Sequence, residues 1–226
     1  MADLLLERLA KLDACAVSDA MDAHGGTGAV LGLGALSATH RIVGRAVTVR
    51  LGPDVGVKSK RHLCTAAVEH AGPDSIIVIA NKGRTDAASW GGVLSLAARE
   101  RGVAGVVIDG VCRDIDESRE MGLPVYARGA VPITARGRVV EEDWNVLIDV
   151  AGRAVAPGDY VIADGSGVVF IPANEAETII AAAERVVAKE RLMAEAVRAG
   201  KPVSEVMGAS YETMLTDGVR YEYHHP

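Results

Sequence analysis

Three short apolar runs, each separated from the next by a helical stretch, constrain this chain more than any other feature. Ser75-Ile76-Ile77-Val78-Ile79-Ala80, Val103 to Ile108 and Pro124-Val125-Tyr126-Ala127 are nearly continuous in apolar residues. Strands of that kind are buried on both faces, as parallel strands joined by helical crossovers are. Between the first two runs, Gly91-Gly92 opens a helix with Leu94, Ala97 and Ala98 on one face, closed by Gly102. Between the second and third, a helix from about Cys112 to Met121 stops at Gly122. The order strand, helix, strand, helix, strand predicts parallel, right-handed crossovers in an α/β protein. A single Phe and 25 Gly demand the aliphatic core that such layers use.

The flanks read differently. Leu5, Leu9 and Leu12 recur at helical spacing, Ser18 is placed to cap a short helix from Asp19 to His24, and Ile42 to Arg50 alternates as a strand ending at Gly52-Pro53. Residues 62 to 71 read as a helix and Asn81 to Trp90 as a loop. After Pro132, turns at Gly137-Arg138, Pro157-Gly158-Asp159 and Asp164 to Gly167 separate short strands, including Tyr160 to Ala163 and Val168 to Pro172, expected to be antiparallel. Residues 174 to 199 form a long helix ending at Gly200. The expected organisation is a main domain, 1–173, with N-terminal helices and a mixed sheet, followed by a helical arm and tail, 174–226, that packs on a neighbouring subunit.

Charge and composition exclude several functions. A net charge of −6 and 4% aromatic residues give no footprint for a phosphate backbone or for base stacking, so no nucleic acid ligand is expected. No apolar run approaches the roughly 18 residues of a membrane span, and the start Met1-Ala2-Asp3-Leu4-Leu5-Leu6-Glu7-Arg8 lacks the order of a secretory signal. A cytoplasmic protein without a membrane partner is the expectation. Cys15, Cys64 and Cys112 are odd in number and widely spaced, which suggests neither a disulfide framework nor a cysteine zinc site.

In open α/β sheets ligands bind where loops leave the carboxyl ends of strands. Gly91-Gly92 puts bare N–H groups at a helix N-terminus, where an anion is favoured, although the pair also serves close helix–strand packing. Asp109-Gly110-Val111-Cys112-Arg113-Asp114 offers a carboxylate for a hard divalent cation and a guanidinium for a carboxylate or oxyanion. Ordinary helix capping by Asp114, Asp116 and Glu117 accounts for the same residues. Lys82 lies in a polar turn without the apolar surroundings of a Schiff-base lysine. His224-His225 lacks partners at ligand spacing, and Lys58, Lys60, Arg61 and His62 read as a solvated helix start.

Ser89-Trp90-Gly91-Gly92-Val93-Leu94-Ser95 together with Ala104-Gly105-Val106-Val107-Ile108-Asp109-Gly110-Val111-Cys112-Arg113-Asp114 resembles the family of 4-hydroxy-4-methyl-2-oxoglutarate aldolases and their relative, the regulator of ribonuclease activity A. The resemblance extends to Ser18-Asp19-Ala20-Met21-Asp22, Ala71-Gly72-Pro73-Asp74, and Pro157-Gly158-Asp159 with Asp164, and covers most of residues 15 to 200.

That resemblance implies a swivelling-domain type α/β/α fold and a homotrimer or hexamer with active sites at subunit interfaces. It assigns Mg²⁺ or Mn²⁺ to Asp114, largely through water, and the keto acid to Arg113. Backbone groups of Gly91, Gly92, Val93 and Leu94 would face the substrate carboxylate, and Glu190, from a neighbour's C-terminal helix, would contribute an acid. Some of these aldolases carry an acidic residue after the first glycine of the loop, where this chain has Gly92. The implied activity is class II aldol cleavage of a 4-hydroxy-2-oxo diacid, with oxaloacetate decarboxylation through the same pyruvate enolate. The rival reading is a non-catalytic regulator of ribonuclease machinery, a branch understood to lack the Asp after the Arg and the long C-terminal helix, both of which this chain has. A methyltransferase reading finds no Gly-rich nucleotide loop after the first strand.

Overall fold

A computed structural model describes residues 3–56 and 61–208. The chain begins with two helices, α1 (Leu4–Leu9) and α2 (Ala14–Ala23), then two short strands, β1 (Ala29–Val30) and β2 (Gly34–Ala35). The parallel core follows as β3 (Ile42–Pro53), α3 (Thr65–His70), β4 (Ser75–Ala88), α4 (Gly92–Glu100), β5 (Gly105–Cys112), α5 (Ile115–Glu120) and β6 (Val125–Ala130). Next come β7 (Val139–Trp144), the hairpin of β8 (Ile148–Val150) and β9 (Arg153–Val155), β10 (Tyr160–Asp164) and β11 (Gly167–Ile171). The described chain ends with α6 (Ala176–Arg198) and α7 (Val203–Val206).

The main sheet runs β1-β11-β10-β3-β4-β5-β6-β2, with β7 paired to the second half of β3. Pairing is parallel from β3 to β6, as the apolar runs require, and antiparallel at β10–β3, β10–β11, β1–β11 and β2–β6. The expected mixed α/β sheet, with parallel central strands and later antiparallel strands, is the observed one.

Side-chain alternation splits the core by sheet face. Val47, Val49 and Leu51 of β3 join Ile77, Ile79, Val106 and Ile108 under α3 and α4. On the same face, because Val43 is registered with Ile162 and Arg45 with Tyr160, the residues Tyr160, Ile162, Val169 and Ile171 lie under α1, α2 and the first half of α6. The opposite face, with Ile76, Val78, Val107 and Tyr126, is covered by Ile148, Val150 and Val155 of the β8–β9 hairpin and contains no helical residue.

Several boundaries differ from the sequence expectation. α2 starts at Ala14, because the Asp13 carboxylate accepts from the Ala16 N–H at 2.9 Å; Ser18 lies inside the helix. The expected loop after Ala80 continues as strand to Ala88, with Lys82 and Gly83 at positive φ absorbing the irregularity that lets Arg84 and Ala88 pair with Gly110 and Val111. β5 runs through Asp109 rather than ending there, since this 2%-exposed carboxylate is satisfied by Arg128 Nε at 2.6 Å and the Ala151 N–H at 3.1 Å. The third helix begins at Thr65 and the helix after β5 only at Ile115, leaving residues 61–64 and 113–114 outside helices. Lys58, Lys60, His224 and His225 lie outside the described residues.

Candidate active site

The carboxyl ends of β4 and β5 are tied together beyond the regular ladder. The Ser89 N–H donates to the Val111 carbonyl at 2.8 Å, and the Arg113 N–H donates to the Trp90 carbonyl at 3.0 Å. These bonds set Gly91 to Leu94, at the start of α4, beside Arg113 and Asp114, before α5. Asp114 takes a left-handed conformation, φ 55° and ψ 40°, which a residue with a side chain adopts at a cost when its surroundings fix it. Its Oδ2 accepts from the Gly92 N–H at 2.9 Å and lies 3.2 Å from Arg113 Nε. The α4 N-terminus therefore already faces one carboxylate, and the N–H groups of Val93 and Leu94 remain without intrahelical acceptors.

Below this pair a buried hydroxyl chain fixes the two helix starts. Ser118 Oγ donates to the Asp114 carbonyl at 3.3 Å, so Ser95 Oγ donates to Ser118 Oγ at 2.8 Å and Trp90 Nε1 donates to Ser95 Oγ at 2.8 Å. Ser95 and Ser118 are fully buried, which makes each bond costly to break. Cys112, between the two strand ends, is no nucleophile: burial, with a smaller contribution from the Asp114 charge, pushes its thiol up to about 11.

Both glycines have close side-chain neighbours. A Cβ on Gly91 would stand 2.8 Å from Asp114 Oδ2 and 3.2 Å from Arg113 Nε. A Cβ on Gly92 would collide with the Glu117 carboxylate, under which Gly92 is buried. Glu117 is exposed, and its carboxylate has no hydrogen bond or ion pair with any described residue. The donor set at this spot is thus carboxylate oxygen beside a glycine cradle, which fits a hard, largely hydrated divalent cation and does not suit a soft or tightly caged one. Among the described residues no group of three or more His, Cys, Asp or Glu side chains could hold a metal, so one chain offers at most a partial set of ligands.

Two adjoining clefts open here. One, of about 150 Å³, is lined by Ser89 to Leu94, Arg113 and Asp114, and closed by His62, Leu63, Thr134 and Ala135. The second, about 360 Å³, shares His62, Leu63, Arg113, Thr134 and Ala135 and extends to Arg61, Arg136 and Glu141. The Glu141 side chain is only 3% exposed and holds this wall by accepting from the N–H of left-handed Cys64 at 2.7 Å and from Arg61 Nε at 3.1 Å.

Arg113, Asp114, Gly91, Gly92, Val93 and Leu94 are therefore brought together at the smaller cleft. Glu190 is not: it lies on α6 beside Asp13 and Asp19, on the far side of β3 and β4 from Asp114, and burial there, followed by those two charges, raises its carboxyl above the usual range. Sequence reasoning missed Arg61, His62 and Thr134 as cleft walls and Glu117 as more than a capping charge. The Glu117 carboxylate lies in the space a Cβ at position 92 would take, a relation that no sequence spacing displays. Lys82 is exposed, as its polar neighbours indicate.

Residues 14–170 match the RraA-like family, described as Aldolase/RraA. The chain belongs to this family. Among RraA-like and related proteins, one of Halalkalibacterium halodurans named "Putative 4-hydroxy-4-methyl-2-oxoglutarate aldolase" is 31% identical over 197 residues, 84% of this chain and 89% of that protein. Protein DlpA of Legionella pneumophila is 29% identical over 176 residues, which cover 78% of this chain but only 29% of that longer protein. An uncharacterised protein of Pseudomonas syringae pv. tomato has a similar crystal structure, with a TM-score of 0.82 and 30% identity, covering 92% of this chain and 98% of that one. No helix among the described residues is long and apolar enough to cross a membrane.

Proposed function

We propose that this RraA-like chain is a divalent-metal-dependent carbon–carbon lyase that releases pyruvate from a 4-hydroxy-2-oxo diacid and decarboxylates oxaloacetate. The observation that carries the reading is the Arg113–Asp114 pair set against the amide-lined start of α4 at the end of a cleft. The aldolase name borne by relatives supports the reaction class.

Asp114 would hold Mg²⁺ or Mn²⁺, with Glu190 of a neighbouring copy adding an acidic group in a trimer or hexamer. The cation supplies Lewis-acid stabilisation of the substrate's 2-keto oxygen. Arg113 presents Nη donors to the same oxygen, or to the adjacent carboxylate, in a fixed fork. The Val93 and Leu94 N–H groups, at the positive end of α4, donate to the pyruvyl carboxylate. In the cleavage step the C4 hydroxyl loses its proton, the C3–C4 bond breaks, C4 becomes a carbonyl, and the electron pair moves onto the C2 oxygen as pyruvate enolate. Protonation at C3 completes pyruvate. Oxaloacetate reaches the same enolate by losing CO₂, so donors placed for one reaction serve the other.

The test is pyruvate release from 4-hydroxy-2-oxo diacids and from oxaloacetate, before and after EDTA treatment and dialysis. The expected result is loss of both activities on chelation and recovery with Mg²⁺ or Mn²⁺. Full turnover in excess EDTA overturns the metal-dependent mechanism; no pyruvate from any such substrate overturns the lyase reading.

A further inference from the structure

The carboxylate of Glu117 has an unusual position for a first-turn helix residue. It lies over the backbone of Gly92, in space that a side chain at position 92 would take, and the same vacant Cβ position lies 3.4 Å from Asp114 Cβ. Two acidic side chains thus converge on one glycine. Arg113 directs its Nε to Asp114, and Glu117 has no partner among the described residues. Asp116, the other acid in the first turn of α5, faces solvent and pairs with Arg119, whereas Glu117 turns toward Gly92. Two carboxylates converging on one glycine repel each other, and a divalent cation in the cleft offsets that repulsion.

We infer that Glu117 is a positioning residue for the cation assigned to Asp114, accepting hydrogen bonds from the ion's water shell; the inference rests on the reading given under Proposed function. Mg²⁺ and Mn²⁺ keep several waters when few protein ligands are offered, and the groups that orient those waters set affinity almost as strongly as the ligands do. The bare backbone at Gly92 is what lets Glu117 approach from α5. In this chain an acid reaching across from the next helix occupies the space of a side chain in the loop itself.

The experiment is Mn²⁺ titration of the full chain, with free Mn²⁺ followed by its electron paramagnetic resonance signal, so that no substrate or turnover is needed. Glu117→Gln is expected to weaken Mn²⁺ binding about tenfold, within the range for groups that orient metal-bound water. Asp116→Asn, which removes an equal charge from the same helical turn, is expected to stay within about twofold of wild type. Gly92→Ala, which keeps every charge but takes Glu117's place, is expected to weaken binding as Glu117→Gln does, with folding checked by circular dichroism. Glu117→Gln binding Mn²⁺ as wild type does, or Asp116→Asn weakening it equally, overturns the inference. Asp114→Asn retaining wild-type affinity overturns the assignment of the cation to Asp114, and Glu117's role with it.

Discussion

The two helical layers that share one face of the sheet are built in opposite ways. Over β10 and β11, α1, α2 and α6 are regular, bury Leu9, Val17, Ile179 and Ile180 completely or nearly so, and are clasped at their edge by Arg8 bridging Glu177 and Glu184. Over β4 and β5, the layer is short-helixed and irregular: Cys64 and Asp114 are left-handed, two glycines lie directly under the Asp114 and Glu117 carboxylates, and strand pairing shifts register twice. The regular half contributes stability through area removed from water. In the irregular half, strain is held in place by buried hydrogen bonds, and the groups so fixed are those that face the cleft. Stability and chemistry are therefore separable by mutation.

The sharpest way to break that separation is a crossed pair of substitutions. Asp114→Ala is expected to lower kcat/KM for pyruvate release about 1000-fold or more, corresponding to at least about 4 kcal/mol of lost charge stabilisation. Its folding free energy should fall by only about 1 kcal/mol, the value of the hydrogen bond from Gly92. Ile180→Ala is expected to do the reverse: about 2 to 5 kcal/mol less stable by urea denaturation, with unchanged kcat/KM per folded molecule. If either variant moves both quantities strongly, the two layers are one cooperative site and the distinction fails.

A smaller effect sharpens the chemical half. Arg113→Lys keeps the charge but loses the planar fork, so kcat/KM should fall roughly 30- to 1000-fold, about 2 to 4 kcal/mol, while Mn²⁺ affinity holds. Kinetics within twofold of wild type contradict the role given to Arg113. The smallest effect belongs to the regular half. Hydrogen bonding to Arg8 holds the Glu184 carboxyl below its usual range. A carboxylate depressed in the folded state stabilises fully above its unfolded pKa, 4.5, and loses that contribution as pH falls through the lower folded value. Arg8→Ala should thus melt below wild type at pH 7, and the gap should close in strong acid. A gap independent of pH rules out the ion pair as its origin.

The parallel core was legible in the sequence because Ile76 to Ala80 and Val103 to Ile108 are apolar on both faces, and burial on both faces leaves little choice of architecture. Arg113, Asp114 and the glycine loop were legible because residue type and position at strand ends restrict them together. What stayed hidden has a physical pattern. Asp109 reads as a strand terminator until Arg128, 19 residues on, supplies its partner. Ser18 reads as a cap until Asp13 takes that role. Arg61, His62 and Thr134 meet the cleft only through folding, and Glu117 declares itself only against the missing Cβ of Gly92. Local signals locate elements; polar satisfaction and close approach across elements decide where they stop and what they face.

The hydroxyl chain beneath Asp114 begins at an indole, and that has an optical consequence. The chain has two tryptophans. Trp90 is 2% exposed, hydrogen-bonded to Ser95 and part of the smaller cleft. Trp144, on β7, stands 5.4 Å from the His70 ring, with the Arg61 guanidinium 6.0 Å from its ring centre at the larger cleft. Intrinsic fluorescence therefore carries two signals, one from Trp90 in the smaller cleft and one from the half-buried Trp144 beside Arg61. Replacing Trp144 by Phe isolates Trp90, so a compound entering the smaller cleft can be followed by emission alone.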